Sequence, residues 1–245
     1  SIMRLKKVQM RFHISPKLLK YFKGFCSAPE VIMLFVYMKC RFSLSYRELE
    51  EMAYIRGAVI DHSTLQRWVM KFVPLIDKQV RKRKKSVSLS WRMDETYIKL
   101  NGEWVYLYRA VDSLGNTIEF LLRKHRDKVA AKAFFRKALK NNERPEKIAI
   151  DKSGSNISAL DSVNKNLEED EQIEVRQNKY LNNIVEQDHR FVKKRTKPML
   201  GFKNFQSAKI TITGIENIRM IQKGQITGAD THRYAFENFK MLMAS

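Results

Sequence analysis

Cysteine is scarce: the 245 residues hold two, Cys26 and Cys40, too few for a disulfide framework or a four-cysteine zinc site. A reducing compartment is the simplest setting for such a chain. Long apolar runs are absent as well. The longest, Val31 to Met38, falls far short of the roughly 20 residues that span a bilayer. No charged start followed by an apolar core and a small-residue cleavage site opens the chain. It begins at Ser1 rather than at a methionine, so residues 1 to about 20 carry little weight in the reading. No glycine-rich loop of the G-x-x-x-x-G-K type is present to cradle a nucleotide phosphate, and neither an internal repeat nor a low-complexity tract is visible. Acidic residues are the other shortage. Against 47 Lys and Arg stand 26 Asp and Glu, a formal charge of +21. That balance makes a neutral small molecule a poor default substrate and points to a polyanion. With 44% hydrophobic residues the chain can still bury a real core, which excludes a disordered polycation.

Residues from about Pro16 to Asp77 read as helical. Pro29 suits a first helical position ahead of the apolar run, and Ser45 with Glu48 forms a capping box before Tyr46, Leu49, Met52 and Ala53 on one face. Gly57 ends that helix. A second cap at Asp61 starts a helix with Leu65, Trp68, Val69 and Phe72 inward. Two short amphipathic helices around a glycine turn read as helix-turn-helix, which leaves His62, Ser63, Thr64, Gln66, Arg67 and Lys71 facing outward as hydrogen-bond formers toward DNA. The basic run Arg81, Lys82, Arg83, Lys84 and Lys85 reads as a linker that is either solvated or in contact with phosphates.

From Ser86 the period changes from helix to strand. Val87 to Leu100, Trp104 to Val111 and Thr117 to Leu122 read as three antiparallel strands, turned at Gly102 and at Ser113 to Asn116. A helix from Asp127 to Leu139, a strand from Lys147 to Ile150, a helix from about Asn156 to Asn166, a strand from Ile173 to Val175 and a long helix from Asn182 or Asn183 to about Lys194 follow. This order predicts an α/β fold with a mixed sheet, preceded by the helical segment. The Tyr and Trp residues of the strands read as core rather than as stacking platforms for bases.

Three carboxylates occupy positions where a core avoids charge. Asp94 interrupts the first strand, Asp151 ends the fourth, and Glu186 lies in the last helix. Sites in open α/β sheets form at the carboxyl ends of strands. Converging carboxylates repel one another unless cations neutralise them, and hard oxygen ligands suit Mg²⁺ or Mn²⁺. On the helix, Arg190 and Lys193 share a face with Glu186, although Glu186 and Arg190 equally suit an ordinary i,i+4 ion pair. Glu95 falls on the opposite strand face from Asp94, Asp112 opens a turn, and Asp188 lies about 200° around the helix from Glu186. His189 alone reads as packing or capping.

Arg92 to Lys99 with Trp104 to Asp112, then Arg126-Asp127 with Ala130-Ala131 and Phe134, then Ile150-Asp151-Lys152, then Tyr180 to Asn183 with Glu186 to Arg190 and Lys193, together resemble the ordered blocks of bacterial insertion-sequence transposases of the DDE type, the insertion-sequence-six-like group. Glu186 follows Asp151 with 34 residues between them, the separation of that group. Gly201-Phe202, Thr213 to Glu216 and Lys223 to Gln225 are similar to its tail. Leu44 to Met52, His62 to Thr64 and Arg67 to Val69 are similar to its helix-turn-helix. The resemblance covers about residues 21 to 225.

It implies an RNase H-like catalytic core (87–225) behind a helix-turn-helix domain (1–80) and a basic linker (81–86), with a helical tail (226–245). It also implies Asp94, Asp151 and Glu186 as a triad holding two Mg²⁺ or Mn²⁺ ions, and Lys193 with Arg190 on the phosphate beside the scissile bond. The expected activity is binding of terminal inverted repeats, cleavage at the element ends and transfer of the 3′-hydroxyl to target DNA by a homo-oligomer in the bacterial cytoplasm, at the nucleoid. The alternatives are a degenerate or domesticated copy that represses without cutting, and a simple nuclease. Tyrosine or serine recombination is disfavoured, since it needs a nucleophilic hydroxyl among arginines rather than three acids.

Overall fold

The alternation of inward and outward residues from Trp91 onward builds strand β1 (Ser90–Leu100), which pairs antiparallel with β2 (Glu103–Asp112) across the turn at Asn101 and Gly102. Both turn residues have positive φ, 47° and 87°, the left-handed geometry that a two-residue hairpin turn requires. β3 (Thr117–Arg123) adds antiparallel to β2, while β4 (Lys147–Ala149) runs parallel to β1, and β5 (Glu174–Arg176) parallel to β4. The resulting order is β3-β2-β1-β4-β5. This computed structural model describes residues 12–151, 154–165, 167–177, 183–199 and 201–245. Lys152, Asn166 and Tyr180 to Asn182, named above, lie outside them. Three antiparallel strands followed by two parallel ones on the β1 side give the RNase H-like mixed sheet.

Each face of the sheet has its own core. One carries Trp91, Met93, Tyr108, Ala110 and Ile118 under α5 (Lys128–Asn141) and α6 (Gly154–Asn164). α5 starts at its Asp127 cap, whose carboxylate accepts from Ala130 N at 2.7 Å. The other face carries Ile98, Val105, Leu107, Phe120 and Leu122, and its core is continuous with the N-terminal helices. These are α1 (Pro16–Leu19), α2 (Pro29–Arg41), α3 (Tyr46–Ile55) and α4 (His62–Arg83). The capping box at Ser45 and the cap at Asp61 both form. Leu65, Trp68, Val69 and Phe72 are buried as their spacing requires.

α7 (Asn183–Thr196) lies against β1 and β2. α8 (Phe205–Gln222), which the sequence reading left without structure, runs through the middle of the helical layer against α2 and α4, and α9 (Ala235–Met243) closes that layer. Both cysteines are free, Cys26 exposed and Cys40 buried.

The basic run is not a free connector. Arg81, Lys82 and Arg83 form the last turn of α4. Lys84 bridges to Ile226, and Lys85 N donates to Gln225 O at 2.8 Å. The reason lies in partners distant in sequence, described below.

α8 approaches α2 and α4 closely at Gly214. A Cβ there would overlap Cys40 Sγ and press Val73 Cγ2 at 3.1 Å. Gly214→Ala is expected to lower stability by about 2 kcal/mol through overpacking. Adding Cys40→Ala, which frees that volume, should recover most of the loss in urea-unfolding midpoints. A Gly214→Ala protein as stable as the parent would remove this packing argument.

Candidate functional site

The last pair joining β1 to β4 is Arg92 with Ala149. Asp94 and Asp151 each lie two residues beyond that pair, so they stand abreast, Asp94 within β1 and Asp151 just past the carboxyl end of β4. Carboxylate oxygens of Asp94, Glu95 and Asp151 come within 4.8 Å of one another. Glu95 does leave β1 on the face opposite Asp94, as alternation dictates. Its longer side chain nevertheless brings its carboxylate into the group, which the face argument missed.

Arg126, in the turn before α5, bridges two of these acids, with Nη2 3.2 Å from Asp151 Oδ2 and Nε 3.4 Å from Glu95 Oε1. Asn156 Nδ2 from α6 donates to Glu95 Oε1 at 3.1 Å and to Asp151 Oδ1 at 3.3 Å. Glu95 is 3% exposed, and its Oε2 has no hydrogen-bond partner. Burial raises the Glu95 carboxyl above the usual range; the Asp151 and Asp94 charges add to this, and Arg126 and Asn156 oppose it.

On the other face, His189 Nε2 of α7 lies 3.2 Å from Asp94 Oδ2. Burial lowers the His189 pKa, Asp94 opposes that, and the nearby Arg109 charge adds to it. The ring fixes the Asp94 carboxylate through one nitrogen, and its other nitrogen, Nδ1, is buried without a hydrogen-bond partner among the described residues. Glu186 stands outside the 4.8 Å set. It is exposed, in the first turn of α7, three residues before His189. Arg190 and Lys193 are exposed farther along that helix, and no ion pair joins Glu186 to Arg190 among the described residues. Asp188, on the far side of α7, is buried. Its Oδ2 accepts from Arg109 Nη2 at 2.7 Å and Lys223 Nζ at 2.8 Å, and its Oδ1 from Arg219 Nη2 at 3.1 Å. Arg109 also grips Glu216 of α8 with two bonds, at 2.6 and 3.0 Å. Arg109 is the cross-strand partner of Asp94, so this network ties α7 and α8 to the strand beside the acids.

Of the outward residues on α4, Ser63, Gln66, Arg67 and Lys71 are exposed, and His62 and Thr64 are half-buried. His62 Nδ1 sits 2.9 Å from Glu50 of α3, and Arg67 Nη2 donates to Thr64 Oγ1 at 2.8 Å. Lys82 and Lys85 are exposed, and Arg83 is half-buried. Two members of the basic run face inward instead. Arg81 pairs with Asp77 at 2.9 Å and, through both terminal nitrogens, with the buried Glu119 at 2.8 and 3.1 Å. Lys84 Nζ donates to Ile118 O and to Asn142 Oδ1, and burial pulls its pKa down to about 8. Both are engaged by the protein itself, where the sequence alone leaves the run either solvated or on phosphates.

The DDE domain family matches residues 88–225. The transposase of insertion-sequence-like element IS431mec from Staphylococcus aureus is 37% identical over 205 residues, 84% of this chain and 90% of its own length. The chain belongs to the insertion-sequence-six-like family of DDE transposases. A second Staphylococcus aureus relative, the transposase of insertion sequence element IS257 in transposon Tn4003, matches to the same extent. Among solved structures, the HTLV-2 integrase catalytic core domain in complex with magnesium is 14% identical with a TM-score of 0.41, over 63% of this chain and 98% of that one. The BIV integrase catalytic core domain has the same identity and TM-score, over 61% and 92%. The protein is thus a DNA transposase, an enzyme of a family that works with divalent metal. Nothing observed favours the non-cutting alternative. No helix among the described residues is long and apolar enough to cross a membrane.

The transposase offers a direct comparison of inward and outward cations. Lys82→Ala should reduce the slope of log affinity for DNA against log salt by about 1. Arg81→Ala should leave that slope unchanged and cost about 3 kcal/mol of stability, because it strips a buried carboxylate. Burial would raise Glu119, but Arg81 and Lys137 outweigh it and hold the carboxyl at about 2. Its folded pKa is depressed, so its contribution is full above the unfolded value near 4.5 and is lost as pH falls toward 2. Glu119→Gln should flatten the urea midpoint over that window; a Lys82→Ala slope equal to wild type, or an unchanged pH profile, would count against these assignments.

Proposed function

We propose that this transposase binds the terminal inverted repeats of its own element, cuts at the ends and joins the freed 3′-hydroxyl to target DNA, with Asp94, Asp151 and Glu186 holding Mg²⁺ or Mn²⁺. The observation that carries the reading is the placement of Asp94 in β1 abreast of Asp151 just past the carboxyl end of β4, within 4.8 Å of a third carboxylate, Glu95. The proposed ligands are all carboxylates, the hard oxygen donors that suit a divalent cation, and beside them Glu95 has a buried Oε2 without a hydrogen-bond partner and a carboxyl raised first by burial, with the Asp151 and Asp94 charges adding to it. Two such ions, when bound, would activate water or a 3′-hydroxyl and stabilise the leaving oxygen.

The chain's own groups do the rest. His189 fixes the rotamer of Asp94 from one face of the sheet. Arg126 balances Glu95 and Asp151 from the other and is 42% exposed, so it can turn toward a phosphate oxygen. Glu186, in the first turn of α7, is the third member of the triad, with Arg190 and Lys193 on the same helix to hold the phosphate beside the scissile bond. His62, Ser63, Thr64, Gln66, Arg67 and Lys71 read the repeat from α4, and Lys82, Arg83 and Lys85 hold its backbone. Two element ends require at least two protomers in the joined complex, and the reaction takes place on DNA in the bacterial cytoplasm.

Asp94→Asn, Asp151→Asn and Glu186→Gln should each lower strand transfer by at least about 1,000-fold while leaving end binding within about twofold. The assay uses labelled element ends, a supercoiled plasmid and Mg²⁺, with EDTA as control. Specific end binding with no nick or joint under any divalent metal, in a tube where an active relative works, would establish the repressor instead. Nicks without joints would establish the nuclease.

A further inference from the structure

Aromatic residues in a half-buried sheet ordinarily cover its core, and Trp91 and Tyr108 do so, at 1% and 0% exposure. Tyr97 and Trp104 do not. They are 57% and 56% exposed, with ring centroids 5.5 Å apart in an edge-to-face pair. Their register on the β1–β2 hairpin explains how they meet: Trp104 is the cross-strand partner of Lys99, two residues beyond Tyr97 on the same face. That face is also Glu95's, and Tyr97 lies only two residues farther along β1, about 7 Å at the strand rise. The described pairing of β1 with β4 has ended at Arg92, so no β4 residue covers this stretch of β1. From α7, Lys193 Nζ sits 5.4 Å from the centre of the Tyr97 ring and has no carboxylate partner among the described residues. Lys99 beside it is exposed.

Two rings open to solvent with unpaired ammonium groups beside them match one chemistry closely. A nucleotide offers a π-face for the rings and a phosphate for the lysines. A second copy of this chain fits less well, since it would bring another +21 of charge against these lysines. We propose that Tyr97 and Trp104 form a stacking platform for an unpaired base of the DNA strand lying across the acidic cluster, with Lys193 on that nucleotide's phosphate. The proposal rests on the cutting site assigned above. It adds that the base pair next to the cut opens, and that the hairpin captures the freed base so that the strand stays splayed over the carboxylates. Unpairing is least costly where the pair is already broken, which makes the platform separable from the acids by substrate design.

The full chain is given element ends that are either fully paired or mismatched at each of the terminal positions, with Mg²⁺. Trp104→Ala should lower cleavage of the paired end by about 10- to 100-fold, the effect of losing one base–aromatic stack, and a mismatch at the captured position should restore it to within about threefold of wild type. Trp104→Phe, which keeps a stacking face, should lose less. Asp151→Asn should fail equally on both substrates, so a fault in the assignment of the acids is read separately from a fault in the platform. Trp68 and Trp91 are buried, at 3% and 1%, so Trp104 dominates collisional quenching of tryptophan emission. End DNA should quench it at constant protein concentration. The platform is overturned if Trp104→Ala is as active as wild type on paired ends, or if its loss is the same on paired and mismatched ends. Trp104 emission that changes with protein concentration alone and not with DNA would likewise overturn it and assign the pair to an interface between copies.

Discussion

Arg109 is fully buried in the middle of the sheet, and the arrangement around it governs where the site's parts stand. Its guanidinium holds Glu216 of α8 and Asp188 of α7, and Arg219 and Lys223 close on the same aspartate. Burial would raise Asp188, but Arg109 and Lys223 outweigh it and hold the carboxyl well below the usual range. Removing charges from water is expensive, so such a network is weak evidence for stability. Its value here is positional. α7 cannot slide or rotate without leaving Asp188's buried partners unpaired, so the position of Glu186, two residues earlier on that helix, is fixed with it. Because Arg109 is also the cross-strand partner of Asp94, the same residue references both acids to one strand pair.

α8 carries this order into the N-terminal helices. It supplies Glu216 and Arg219 to the network and packs its other sides on α2 and α4. α4 runs unbroken from His62 to Arg83, and in its last turn Arg81 is fixed to Glu119 of β3. The residues proposed to read the repeat and the carboxylates proposed to cut it therefore share one continuous core rather than two bodies on a flexible tether. A long basic segment that looks like a tether in the sequence acts instead as a strut.

Where the sequence was legible, local physics sufficed. Period-2 patterning locates β1 to β3, side-chain caps locate the starts of α3 and α4, an alanine-rich run locates α5, and a carboxylate at the end of a short apolar strand singles out Asp151. What was not legible depended on partners far away in the chain. Arg81 and Lys84 look solvated until Glu119 and Asn142 are placed beside them. Ile210-Thr211-Ile212-Thr213-Gly214 alternates like a strand, and only packing on all sides makes it the middle of α8. An amphipathic stripe is absent there because residues from Thr211 to Ile221 are almost all buried. Glu95 was placed on the correct face, but facing alone does not fix where a long carboxylate ends. Arg109 left one readable trace, a lone cation in the otherwise uncharged run from Trp104 to Val111.

Whether the Arg109–Asp188 contact holds α7 against β1 beside Asp94 can be read by hydrogen–deuterium exchange across residues 183–196 in Asp188→Asn and wild-type protein under native conditions. α7 amides should exchange at least about tenfold faster in the variant while those of β1 to β3 keep their protection. Unchanged protection in α7, or an equal loss across α7 and the sheet, would contradict it.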